Sequence, residues 1–187
     1  MRFWPQKRWK KILLTTLLII LAVLIGIVGY LEWSVYREVS SNVEVLNSQG
    51  AKTALIIYHP GITDFARNVT YSFADGLVSS GWRVEVTTAS SQAPTDLSKY
   101  SLLVLGWPIY DFNPGPTITN HIDRIGDLNG IDTVVMVIAG GMDPLNAQEG
   151  MNKKVQNANG NIIATLQAFR GGTAAQDMFN AASNITP

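Results

Sequence analysis

The pattern of apolar and polar positions divides this chain into two parts. Ile12 to Leu31 is 20 residues without a charge, and its only polar side chains are Thr15 and Thr16. From Ala54 onward, short apolar runs alternate with longer segments whose apolar residues recur at helical spacing. Ala54 to Tyr58 (Ala-Leu-Ile-Ile-Tyr), 101–105 and Thr133 to Ala139 are too short for helices and apolar throughout, which predicts strands buried on both faces. His59-Pro60-Gly61, Gly106 with Pro108, and Gly140-Gly141 close them. Trp82 to Thr87 and Asn161 to Phe169 alternate, which predicts strands wet on one face and placed at sheet edges.

Helices are predicted between the strands. In 64–79, Phe65, Val69, Phe73 and Leu77 recur every four residues, Thr63 or Asp64 stands at the cap position and Gly81 stops the helix. A helix over 115–126 turns Ile118, Ile122 and Ile125 inward, with Pro114 and Pro116 stiffening its start and His121 on its surface. A polar helix covers about Leu145 to Ala158, ended by Asn159-Gly160, and a last one covers about Ala174 to Asn184. The stretch 88–98 reads as a polar loop with at most one helical turn at Asp96-Leu97. Helices alternating with strands imply an α/β domain whose parallel sheet is covered on both faces.

The apolar run at the amino terminus changes the picture. As a helix it spans ~30 Å, the thickness of a bilayer core. Trp4 and Trp9 flank it on one side, and Tyr30, Trp33 and Tyr36 on the other, as interfacial belts require. A cleaved signal peptide would have an apolar region of roughly 7–15 residues and a small-x-small site, and Gly-Tyr-Leu-Glu-Trp is not one. The expectation is a basic segment 1–11, a transmembrane helix 12–31, a juxtamembrane helix fraying into a linker over 32–52, and a folded domain over 53–187. Arg2, Lys7, Arg8, Lys10 and Lys11 precede the span. By the positive-inside bias this places the amino terminus in the cytoplasm and the domain outside it, as a single-pass protein of the cell membrane.

Net charge is zero over 187 residues, but it is segregated. Residues 32–187 hold all 14 acids and nine of the 14 bases, a net of −5, which argues against nucleic acid as a partner. There is no cysteine, so disulfides, iron–sulfur clusters, thiolate zinc sites and a cysteine nucleophile are excluded. No Gly-x-Ser-x-Gly, P-loop or Gly-x-Gly-x-x-Gly occurs, which argues against serine hydrolases, nucleoside triphosphatases and Rossmann dinucleotide sites. Asn68-Val-Thr70 and Asn184-Ile-Thr186 fit the glycosylation triplet, but the first falls inside a predicted helix.

The richest stretch is 102–116, Leu-Leu-Val-Leu-Gly-Trp-Pro-Ile-Tyr-Asp-Phe-Asn-Pro-Gly-Pro. Its Gly106-x-Pro108-x-Tyr110, followed by Pro114 and Pro116, resembles the second flavin-contacting loop of the flavodoxin-like family, and the resemblance extends over 53–185. It implies a five-stranded parallel sheet of order 2-1-3-4-5 with helices on both faces, which suits three apolar central strands and two alternating edges. It also implies FMN as cofactor, bound where strand order reverses, and electron transfer to a membrane quinone or redox partner. The implied contacts are His59, Thr63, Asp64 and Phe65 near the phosphate; Gly106, Trp107, Pro108, Ile109, Tyr110, Asp111 and Phe112 against the ring; and Gly140, Gly141 and Met142 on its other side.

Physical chemistry qualifies each loop. The first keeps one hydroxyl, Thr63; Pro60 lacks a donor and Asp64 repels an anion unless it caps the helix. Trp107 either stacks on a ligand or packs beneath its loop. Gly140-Gly141 either lies along a ring or makes a tight turn in which Asp143 caps the next helix. Asp64, Asp111 and Asp143, one in each loop, read as caps or loop residues, and no metal is assigned. The alternative to an FMN-dependent electron carrier is a tethered flavin-free interaction module.

Overall fold

The computed structural model describes residues 7–109, 113–141 and 144–187. Tyr110, Asp111, Phe112, Met142 and Asp143 from the expected site lie outside them. The chain divides after Tyr36 into two compact units. The first contains α1, Arg8–Tyr36, 29 residues long with a mean hydropathy of 3.0 over its most apolar stretch. It is long and apolar enough to cross a membrane. The helix extends beyond 12–31 in both directions.

The second unit is an α/β sandwich. In chain order it contains β1 (Glu44–Leu46), β2 (Thr53–Tyr58), α2 (Asp64–Ser79), β3 (Arg83–Thr88) and β4 (Leu102–Pro108). It continues with α3 (Pro116–Ile125), β5 (Asp132–Ala139), α4 (Leu145–Asn157), β6 (Asn161–Phe169) and α5 (Ala174–Ser183). The sheet order is β1-β3-β2-β4-β5-β6, and every pairing except β1 with β3 is parallel. The five parallel strands therefore run in the order expected from the sequence, 2-1-3-4-5. One face packs on α2 and α5 through Ile56, Phe73, Leu77, Met136 and Met178. The other packs on α3 and α4 through Leu55, Leu105, Trp107, Ile118 and Met151.

The sixth strand lies in the stretch expected to be a fraying linker. Residues 37–47 run as a strap along the free side of β3. The Thr88 hydroxyl donates to the Val39 carbonyl, Ser41 Oγ accepts the Thr88 N–H at 3.0 Å, and β1 pairs antiparallel with β3. A short covering strand of this kind removes an exposed sheet edge.

β3 is consequently neither an edge nor wet on one face. Glu85 and Thr87, the polar half of its alternation, are buried. Glu85 is accepted into the interior because Arg83, Lys99 and the Tyr100 hydroxyl all bond its carboxylate, at 3.0, 2.9 and 2.7 Å. Burial pushes the Glu85 carboxyl up, but the hydrogen bonds from Tyr100, Lys99 and Arg83 outweigh it and hold the group below its ordinary range. This cluster lies beside the β3–β4 connection, in which no helical turn forms at Asp96-Leu97.

His121, expected on the surface, is fully buried. Its Nε2 donates to the Pro94 carbonyl at 3.1 Å and its Nδ1 accepts from Arg124 at 3.2 Å. Arg124 in turn pairs with Glu38 of the strap at 3.0 Å. The Pro94 loop and the strap supply a polar lining around His121 that helical periodicity alone does not reveal.

Candidate functional site

In an open parallel sheet, ligands lie beyond the carboxyl ends of the strands where the order reverses. Here the reversal falls between β2 and β4. A cleft of ≈ 220 Å³ opens at that rim, lined by Gly61, Ile62, Thr63, Phe65, Ala66, Pro108, Ile109, Ile138, Gly140 and Arg170. Its walls are chiefly apolar: β4 and β5 deliver Pro108, Ile109 and Ile138, and the first turn of α2 delivers Phe65 and Ala66.

The β2–α2 loop turns at Gly61, whose φ of +73° requires glycine's freedom. Thr63 occupies the cap position of α2 with extended backbone, but its hydroxyl makes no capping bond. The side chain that would ordinarily satisfy a first-turn amide thus makes no bond to it. Asp64 begins the helix and is exposed; it does not cap it.

His59 faces away from this cradle. It is buried, its Nδ1 accepts the Gly61 N–H at 3.1 Å and its Nε2 donates to the Arg37 carbonyl at 3.4 Å. Burial, reinforced by the Arg37 charge, lowers its pKa despite the bond to the Arg37 carbonyl, so the ring is neutral and shapes the loop.

The second loop begins later than the sequence suggests, because β4 runs through Gly106 and Trp107 to Pro108. Gly106 pairs with Tyr58 and Met136 inside the sheet, and a Cβ there would stand 2.9 Å from Met136 Cε. Trp107 is fully buried on the α3–α4 side, while the cleft lies on the α2 side. Its ring lies against Gly115, where a Cβ would come within 2.8 Å of Trp107 Cδ1. Its Nε1 has no hydrogen-bond partner among the described residues. Of the contacts expected from the sequence, the cleft brings together Thr63, Phe65, Pro108, Ile109 and Gly140. His59, Asp64, Gly106, Trp107 and Gly141 are not part of its lining.

Arg170 was missed. It follows the last residue of β6, its N–H donates to the Ala139 carbonyl at 2.9 Å, and its guanidinium stands 5.9 Å from the centre of the Phe65 ring. The sequence signal for it is positional: Arg170-Gly171-Gly172 is the loop after a strand's carboxyl end, like the loops after β2, β4 and β5.

No family model and no curated protein sequence matches this chain. Solved structures do resemble it. Flavodoxin 2 from Bacillus cereus superposes with a TM-score of 0.60 at 15% identity, covering 71% of this chain and 95% of the flavodoxin. The two-electron reduced flavodoxin of Megasphaera elsdenii gives 0.56 at 14% identity, over 71% and 99%. The NAD(P)H:quinone oxidoreductase of Methanothermobacter marburgensis gives 0.51 at 15%, over 72% and 99%. The second unit of this chain has the flavodoxin-like fold.

Proposed function

We propose, taking the flavodoxin-like fold as premise, that this chain is a membrane-anchored electron carrier that binds FMN non-covalently at the carboxyl rim of its sheet. The observation that carries the reading is the apolar cleft at the point of strand reversal, open beside an uncapped helix start. A flat apolar ligand with an anionic tail matches that combination. Pro108, Ile109, Ile138 and Phe65 would exclude water from the ring. Thr63 and the amides of residues 63–65 would hold the phosphate. Gly140 keeps the opposite wall low. Bound flavin would supply one- or two-electron chemistry, and the chain supplies binding, orientation and exclusion of solvent.

Residues 12–31 would cross the cell membrane and the domain 53–187 would lie outside the cytoplasm, placing a membrane quinone or a membrane redox protein within reach. The five bases ahead of the span support that orientation.

A second reading has its own support. The cleft is smaller than the about 300–1,000 Å³ usual for cofactor sites. The inward Trp107 and the sparse hydroxyls of the first loop point the same way, towards a flavin-free interaction module. Titrating the full chain in detergent micelles into FMN separates them. The electron-carrier reading expects quenched flavin fluorescence with saturation; no quenching at high micromolar FMN leaves the interaction module.

A further inference from the structure

We infer that Arg170 is the specificity determinant of the cleft, the group that makes it select a flavin carrying a phosphate over one without. The inference rests on the flavin reading above and assigns the phosphate a cation that the first loop does not contain. Arg170 is the only charged side chain lining the cleft among the described residues. It enters from β6, two strands beyond the point of reversal.

Its surroundings leave the charge available. Arg170 joins no ion pair among the described residues. Its guanidinium stands over the Phe65 ring, 5.9 Å from the centroid, and both side chains line the cleft. Arg67, on the next turn of α2, is engaged elsewhere, its guanidinium 5.0 Å from the Tyr71 ring. Thr63, with its hydroxyl uncommitted to a cap, lines the same cleft. A guanidinium, an uncommitted hydroxyl and a helix start lining one cleft are the groups that bind a phosphate, and the guanidinium fork suits two phosphate oxygens at once.

The test compares FMN with riboflavin, which share a ring and differ in the phosphate. Full-length protein in micelles, wild type and the variants Arg170→Gln and Arg170→Lys, is titrated with each by fluorescence. Inorganic phosphate is titrated alone, with the Arg170 side-chain N–H followed by NMR. Wild type should bind FMN at least ten-fold more tightly than riboflavin. Arg170→Gln should lose about ten- to a hundred-fold for FMN, the range of a charge-assisted hydrogen bond, and under two-fold for riboflavin. Arg170→Lys should recover part of the loss.

Equal affinity for both flavins, untouched by Arg170→Gln, overturns the inference and leaves the flavin reading standing. If neither flavin binds but phosphate shifts the Arg170 signal, the flavin reading falls and Arg170 stands as an anion site. Silence from all three ligands overturns both.

Discussion

Trp107 carries opposite expectations in the sequence and in the structure, and two substitutions separate them. If its ring were a stacking platform, Trp107→Ala would cost ligand affinity and leave the fold intact. In the structure the ring is fully buried between β4 and the start of α3, against Gly115. Truncation to alanine should therefore destabilise the domain by about 3–5 kcal/mol, the usual cost of emptying a large aromatic site. Trp107→Phe works on smaller terms. Losing roughly 50 Å² of buried ring costs about 1 kcal/mol at ~25 cal/mol/Å². Against this, the indole N–H is buried without a partner among the described residues, and removing such a group recovers about 1–3 kcal/mol. The second effect is equal or larger, so Trp107→Phe should leave stability unchanged or raise it by up to about 2 kcal/mol. Urea unfolding followed by far-ultraviolet circular dichroism measures both variants, and FMN titration of Trp107→Phe should match wild type within two-fold. A Trp107→Ala protein that keeps its unfolding midpoint, or a Trp107→Phe protein that loses FMN ten-fold, would refute the reasoning.

The contact between α2 and α5 gives a test of sign. Gly76→Ala should gain about 1 kcal/mol in helix propensity, but the new Cβ would stand 2.4 Å from the Phe179 carbonyl oxygen and 2.7 Å from Ala182 Cβ. Two helix backbones cannot yield as a flexible side chain can, so overpacking costing about 1–3 kcal/mol should win, and a raised melting temperature would contradict this. His121 predicts a pH dependence. Burial, reinforced by the Arg124 charge, lowers its pKa to about 4, against about 6.5 in the unfolded chain. Below pH 6.5 the unfolded state binds a proton that the folded state refuses, so stability falls with pH, by about 2 kcal/mol between pH 6.5 and 5. His121→Gln should flatten the urea midpoint across that interval, and an unchanged slope would show that the buried imidazole is not its source.

Much of the fold was legible because burial leaves a periodic trace. β2, β4 and β5 are covered on both faces and read as unbroken apolar runs. The stripe Phe65–Val69–Phe73–Leu77 marks the core face of α2. Where a polar residue is buried with partners, the same reasoning fails. Glu85 and Thr87 made β3 look half-wet, and His121 looked like a surface residue, because their partners come from Lys99 and Tyr100, from the strap and from the Pro94 loop. Local sequence carries no signal for a partner 14 to 46 positions away.

The sequence by itself determined that there is one apolar span, that an α/β domain follows, and in what order its elements come. Those are consequences of hydrophobic period, which is a property of neighbours along the chain. Only the tertiary structure decided which face Trp107 takes, that residues 44–46 close the sheet edge, that His59 turns from the cleft and that Arg170 enters it. Each depends on packing between distant segments, since a strand's alternation gives two faces without saying which one meets the ligand. Space and charge settle that choice, and they exist only once the strands stand side by side.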